Sequence, residues 1–97
     1  MLRRAVAASP SSGRACLALA RALFNARAIA ESIPFAERAA ALLPDDPAAT
    51  ELLGRLRGME GRFGEATTLF RRTLEIEPGN SGVRELLDRL TATDRRK

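Results

Sequence analysis

The sequence predicts an all-α protein built from antiparallel helical hairpins that recur along the chain. Three observations predict it. Pro10, Pro44 and Pro78 stand 34 residues apart, and a fixed period of this length marks a repeat architecture. Around them the residues match at the same offset: Ala41-Leu42-Leu43-Pro44 aligns with Glu75-Ile76-Glu77-Pro78, and Glu51-Leu52-Leu53 with Glu85-Leu86-Leu87. Within each period the apolar residues recur at three or four, which places them on one helix face.

Met1 to Pro10 holds Leu2-Arg3-Arg4, which aligns with Phe70-Arg71-Arg72 at twice the period. It reads as a helical stub over about 2–8, the remnant of a preceding helix. Ser12, Asp46 and Asn80 fall 34 apart, and all three are good N-cap residues. They start helices at about 13–26, 47–59 and 81–93. Pro47 follows Asp46 at the first helical position, where proline is best tolerated. Leu19 and Leu23, Leu53 and Leu56, and Leu87 and Leu90 line the inner faces of these helices.

The second helices run over about 29–43 and 63–77, and Pro44 and Pro78 close them. Phe63, Ala66, Phe70 and Leu74 form the buried stripe of the latter. Gly58, Gly61 and Gly64 make the break between the two helices of the middle period. Pro34 falls inside the first of these second helices. It should kink that helix or delay its start, with Ser32 as cap.

The period divides the chain as one domain: a remnant at 1–10, repeats at 13–46 and 47–80, and a C-terminal capping helix with a basic tail at 81–97. Its 97 residues include only four aromatics, all Phe. The core is therefore Leu, Ala and a little Phe, and a domain this small is expected to be marginally stable.

Histidine is absent and Cys16 is the lone cysteine. Imidazole-dependent nucleophilic sites, Cys₂His₂ zinc sites and intrachain disulfides are thereby excluded. Cys16 lies on the packing register and reads as a small core residue. Asp45 and Asp46 are adjacent carboxylates in a proline-bounded turn, where capping and turn roles are commoner than acid/base chemistry. The glycine triplet matches neither phosphate-loop spacing and follows no strand pattern. No enzyme activity, metal or cofactor is expected.

The net charge of +4 is unevenly placed. Residues 1–30 carry five arginines and no acid, leaving eleven of the sixteen basic residues to face all twelve acids. An acid-free basic start also suits an organelle-import leader. The repeat register running through the segment, and the use of arginine for fifteen of the sixteen cations, favour a folded reading. Charges interrupt any signal-peptide core near Met1, and no apolar run spans a membrane, so the cytoplasm is the expected location. Nucleic acid is not the expected partner, because the phenylalanines fall on core positions or stand alone instead of interleaving with the basic residues.

The register resembles the tetratricopeptide repeat. Thr50-x₂-Leu53-Gly54-x₂-Arg57, then Ala66-x₃-Phe70, then Pro78 follow its pattern, with Gly61-x-Phe63-x-Glu65-Ala66 at the inter-helix turn. The first repeat follows more loosely through Cys16-x₂-Leu19-Ala20-x₂-Leu23 and Ser32-x₃-Ala36 to Pro44. Thr50 and Arg57 replace large aromatics, which should weaken the second repeat. Asp88 stands where the family keeps a small residue. The resemblance implies stacking into a short right-handed superhelix and a scaffold that binds a partner peptide or helix in its concave groove.

Arg21, Arg55 and Arg89 stand 34 apart on the first helix of each repeat. By the resemblance they line that groove, with Asn25, Glu51 and Glu85 beside them. A row of guanidiniums suits an acidic protein or peptide, because each can grip a carboxylate through two N–H bonds. The alternative is a solvated face, since Glu51 and Glu85 each precede an arginine by four residues. The family's carboxylate clamp uses a Lys/Asn/Arg set, and Leu17 and Glu51 stand where it wants polar or basic residues, so that clamp is not expected. Two function classes remain: an interaction scaffold, or a structural accessory, part of a longer repeat protein without a ligand of its own. The stub, through Met1, Leu2 and Val6, would also drive self-association, and deletion of residues 1–9 should then yield a monomer.

Overall fold

A computed structural model of the chain describes residues 12–95, the side chains through Ala92. The helical stub, the self-association segment and the end of the basic tail lie outside them. The described residues form five helices: α1 (Gly13–Asn25), α2 (Ile29–Leu42), α3 (Pro47–Met59), α4 (Phe63–Ile76) and α5 (Ser81–Arg95). They fall into two compact units that divide between Pro44 and Asp45. The first is the α1–α2 hairpin; the second is the α3–α4 hairpin with α5 packed on α4.

The three expected caps form. Ser12 Oγ accepts from the Ala15 amide at 3.2 Å, Asp46 Oδ1 from Ala48 at 2.9 Å and Asn80 Oδ1 from Val83 at 3.0 Å. Each satisfies one of the amides that a helix start leaves without an intrahelical acceptor.

The hairpin turns repeat in atomic detail. In the second unit the Arg62 amide donates to Arg57 C=O at 2.8 Å and the Gly61 amide to Gly58 C=O at 3.1 Å. In the first, Ala28 donates to Leu23 C=O at 2.8 Å and Arg27 to Phe24 C=O at 3.0 Å. This double bond pattern is the Schellman ending, which needs a left-handed residue after the cap. Gly61 fills that place with φ +79°, and Arg27, 34 residues earlier, fills it with φ +68°. Glycine suits the conformation, whereas a residue with a Cβ is strained by about 1–2 kcal/mol. Part of that gain is offset by glycine's greater unfolded entropy, about 0.5–1 kcal/mol. Arg27→Gly is therefore expected to stabilise the chain by about 0.5–1 kcal/mol, read as a higher midpoint in urea unfolding.

The cores of the two units use different chemistry at matching positions. In the first, Cys16, Ala20, Ala36 and Ala39 are buried, so small side chains let the helices approach closely. Cys16 is the small core residue its register implied. In the second, Gly54 and Phe70 take the places of Ala20 and Ala36. A Cβ on Gly54 would lie 2.6 Å from Phe70 Cε1, so the ring occupies the space that the glycine leaves. Thr50 and Thr73 take the places of Cys16 and Ala39. Their buried hydroxyl oxygens lie 2.8 Å apart. Each also has a backbone carbonyl in reach, Pro47 at 3.1 Å for Thr50 and Leu69 at 2.9 Å for Thr73. One proton can thus bridge the pair while the other goes to a carbonyl, and both hydroxyls are satisfied. Ala66, Phe70 and Val83 close the core between α4 and α5, with Leu74, Leu86, Leu87 and Leu90 packed around them.

Three expectations are corrected. Helix α2 starts at Ile29 and carries Pro34 inside it, so Ser32 is not its cap. Ser32 is buried, and its hydroxyl donates to Ile29 C=O at 2.7 Å. Pro34 is exposed and sixth in the helix; it lacks only the N–H that would reach Ala30 C=O, and bonds before it, such as Ser32 N–H to Ala28 C=O at 3.0 Å, still form. Phe63 is 54% exposed and not part of the core stripe. It is the first residue of α4, and helical side chains lean toward the N-terminus, so its ring leans off the end of the helix. Gly58 and Gly64 lie inside α3 and α4, leaving Gly61 alone in the turn.

Candidate functional site

The six candidate residues lie on α1, α3 and α5: Arg21, Asn25, Glu85 and Arg89 are exposed, and Glu51 and Arg55 are half-buried. On α3, Glu51 and Arg55 form an ion pair across one helical turn. Arg55 Nε and Nη2 both donate to Glu51 Oε2, at 3.1 and 3.0 Å. The other carboxylate oxygen, Oε1, accepts from Asn80 Nδ2 at 3.1 Å. Asn80 also donates to Glu77 Oε1 at 2.8 Å while it caps α5. Glu51 therefore has two roles. It neutralises Arg55, and it ties the α5 cap to α3. The second role was not legible in the sequence, because the residues are 29 apart and nothing in the period pairs them.

On α5, Arg89 Nη2 donates to Glu85 Oε1 at 3.1 Å. Both side chains are well exposed, at 73% and 67%. A pair this open is worth about 0–1 kcal/mol and is easily exchanged for another partner. Asp88 beside it is exposed, so α5 tolerates it without burying its charge.

On α1 the arrangement differs. Arg21 and Asn25 are exposed one turn apart, with no acid on the helix. Leu17, four residues before Arg21, is buried, so it offers the guanidinium no counterpart to Glu51 or Glu85. Ala18 and Arg14 extend the exposed line toward the helix start. Arg14 was missed as a candidate because its counterparts in the other repeats are Ala48 and Gly82, so it breaks the period that the arginine row follows.

Several other charged groups are held in structural contacts. Asp46 caps α3, whereas Asp45 accepts from Arg72 Nη2 at 2.7 Å, so the neighbouring carboxylates face different partners. Arg57 is nearly buried and donates to Glu60 Oε1 at 2.8 Å, with Glu65 at 3.9 Å. Arg62 reaches the same two carboxylates, at 4.0 and 3.2 Å, closing a four-charge network around the α3–α4 turn. Among the described residues no helix is long and apolar enough to cross a membrane, and no cluster of metal-ligating side chains occurs.

Two solved structures share this architecture. The first TPR of Spaghetti (RPAP3), bound to the HSP90 peptide SRMEEVD, superposes with a TM-score of 0.87 at 23% identity, covering 95% of this chain and 73% of that one. The first TPR domain of the human RPAP3 protein, determined by NMR, gives 0.82 at 23% identity, covering 94% and 72%. No family model matches the sequence, and no curated protein matches it significantly. The likeness establishes an all-α, tetratricopeptide-type helical repeat fold.

Proposed function

We propose that the chain is a protein-interaction scaffold whose exposed first-helix faces hold an acidic peptide or helix of a partner, in the cytoplasm. Arg21, Arg55 and Arg89 supply the positive groups, and Asn25, Glu51 and Glu85 border them. The observation that carries the reading is the recurrence of an arginine outside the core at one register of α1, α3 and α5, exposed on α1 and α5 and half-buried on α3. A fold-sharing neighbour holds a peptide ending in Glu-Glu-Val-Asp, which supports an acidic ligand here too. The grip differs from a dedicated carboxylate clamp, because Leu17 is buried and Glu51 is itself an acid bonded to Arg55. No catalytic role is assigned to any residue.

The competing reading is a structural accessory without a ligand. The Glu51–Arg55 and Glu85–Arg89 pairs favour it, since both arginines already have carboxylates. Affinity capture from the source cell lysate separates the two. Wild type runs beside an Arg21/Arg55/Arg89→Ala variant whose helicity is checked by circular dichroism. The scaffold reading expects a prey that the variant holds at least about tenfold more weakly, since a hydrogen bond to a charged group is worth about 1.5–3 kcal/mol. A prey held equally by both moves the site off these residues. No specific prey for either supports the accessory.

A further inference from the structure

Helix α1 carries a charge pattern that folding does not account for. Arg14, Ala18, Arg21 and Asn25 are all exposed, at spacings of four, three and four. On a helix this places them within about 60° of arc, opposite the buried Cys16, Leu19 and Ala20. No ion pair joins Arg14 or Arg21 to any described residue. Arg14 also sits in the first turn, where the helix dipole disfavours a cation. By contrast, Arg55 of α3 and Arg89 of α5, at the same register as Arg21, each have a glutamate one turn away.

From this stripe we infer the partner's chemistry: α1 docks an acidic segment that presents two carboxylates about 10 Å apart, one to Arg14 and one to Arg21. The inference rests on the scaffold reading and deepens it. Seven residues of helix separate the Cα atoms of the two arginines by about 10.5 Å along the axis, and both side chains leave from the same face. A partner helix repeats that spacing with acids at i and i+7, and Ala18 leaves room for it to lie close between them. Asn25 offers an amide at the end of the line. Guanidinium forks match carboxylates in pairs of bonds. Two cations without an exposed aromatic neighbour are too few for a nucleic-acid track or a polybasic membrane patch.

The test uses fluorescence anisotropy on the full chain with a labelled, alanine-rich helical peptide bearing two Glu seven residues apart. Controls carry two Gln at those places, or the two Glu two residues apart and so on different faces. The inference expects the i, i+7 peptide to bind and both controls to bind at least about tenfold more weakly. It also expects Arg14→Ala and Arg21→Ala each to lose about tenfold, the worth of one charge-assisted bond. Arg38→Ala/Arg71→Ala, at exposed positions of α2 and α4 outside the proposed binding residues, should change binding less than about threefold, within the range of exposed charges. Both α1 side chains are exposed, so these variants should retain wild-type helicity. Wild type failing to bind, both acidic peptides binding alike, or an equal loss in the Arg38/Arg71 variant would overturn the inference. If lysate capture still yields a prey lost with Arg21/Arg55/Arg89→Ala, the scaffold reading survives that failure. Equal Arg14-dependent binding of anionic vesicles or single-stranded DNA would also overturn it, because it would show unspecific charge attraction.

Discussion

Phe70→Ala should unfold the second unit or bring it close to unfolding. Phe70 is 3% exposed and packs with Ala66 and Val83, so it joins α4 to α5. It also lies against Gly54 of α3, close enough that a Cβ there would clash. One ring thus touches all three helices of the unit. Truncating a buried phenylalanine costs about 3–5 kcal/mol, combining lost transfer energy with the cavity left behind. The cavity should collapse poorly, because the helix caps and the Schellman turn hold the flanking backbones. A chain of 97 residues has about 5–15 kcal/mol of stability in all. The loss should lower the thermal midpoint by at least about 12 °C. Thermal melting by circular dichroism measures this. A shift of only a few degrees would mean that Gly54, Ala66 and Val83 repack around the vacancy.

Most of the fold was legible because it is periodic. The 34-residue spacing of Ser12, Asp46 and Asn80 located three helix starts, and the caps form as the side-chain chemistry requires. Pro47 marked a start as well, and Pro44 and Pro78 lie just beyond the ends of α2 and α4. The departures arise where a residue's neighbour is set by tertiary structure and not by period. Phe63 has the spacing of a core residue, but its place at the helix start aims it outward. Pro34 breaks the helix pattern in the sequence, yet the turn before it is complete. The Thr50–Thr73 pair was invisible, since threonine at an aromatic position reads only as a deficit until its partner across the hairpin is seen. The candidate site divides similarly. Arg21, Arg55 and Arg89 follow the period and were found. Arg14 departs from it, and what distinguishes it is an exposed helix face without acids, which only the structure displays.

Arg57 shows how a departure from the repeat pattern can be accommodated, and its replacement should separate two contributions. The residue is 8% exposed at a position where the pattern has a large aromatic. Its stem fills part of that space, while the guanidinium reaches Glu60 and Glu65 at the turn. Arg57→Ala is expected to cost about 2–3 kcal/mol. About 0.8 kcal/mol for each buried methylene accounts for most of it. The ion pairs add less, because Glu60 and Glu65 are 30% and 55% exposed and can return to water, with Arg62 still beside them. Breaking a fully buried pair would cost about 3–5 kcal/mol, and these carboxylates escape that penalty. Arg57→Leu keeps an apolar stem and loses only the charges, so it should recover most of the loss. Urea unfolding of the two variants decides between the contributions. If Leu costs as much as Ala, the charge network holds the turn and the stem is secondary. If Leu matches or exceeds wild type, the arginine fills volume first, and the charges around it mainly keep its buried head compensated.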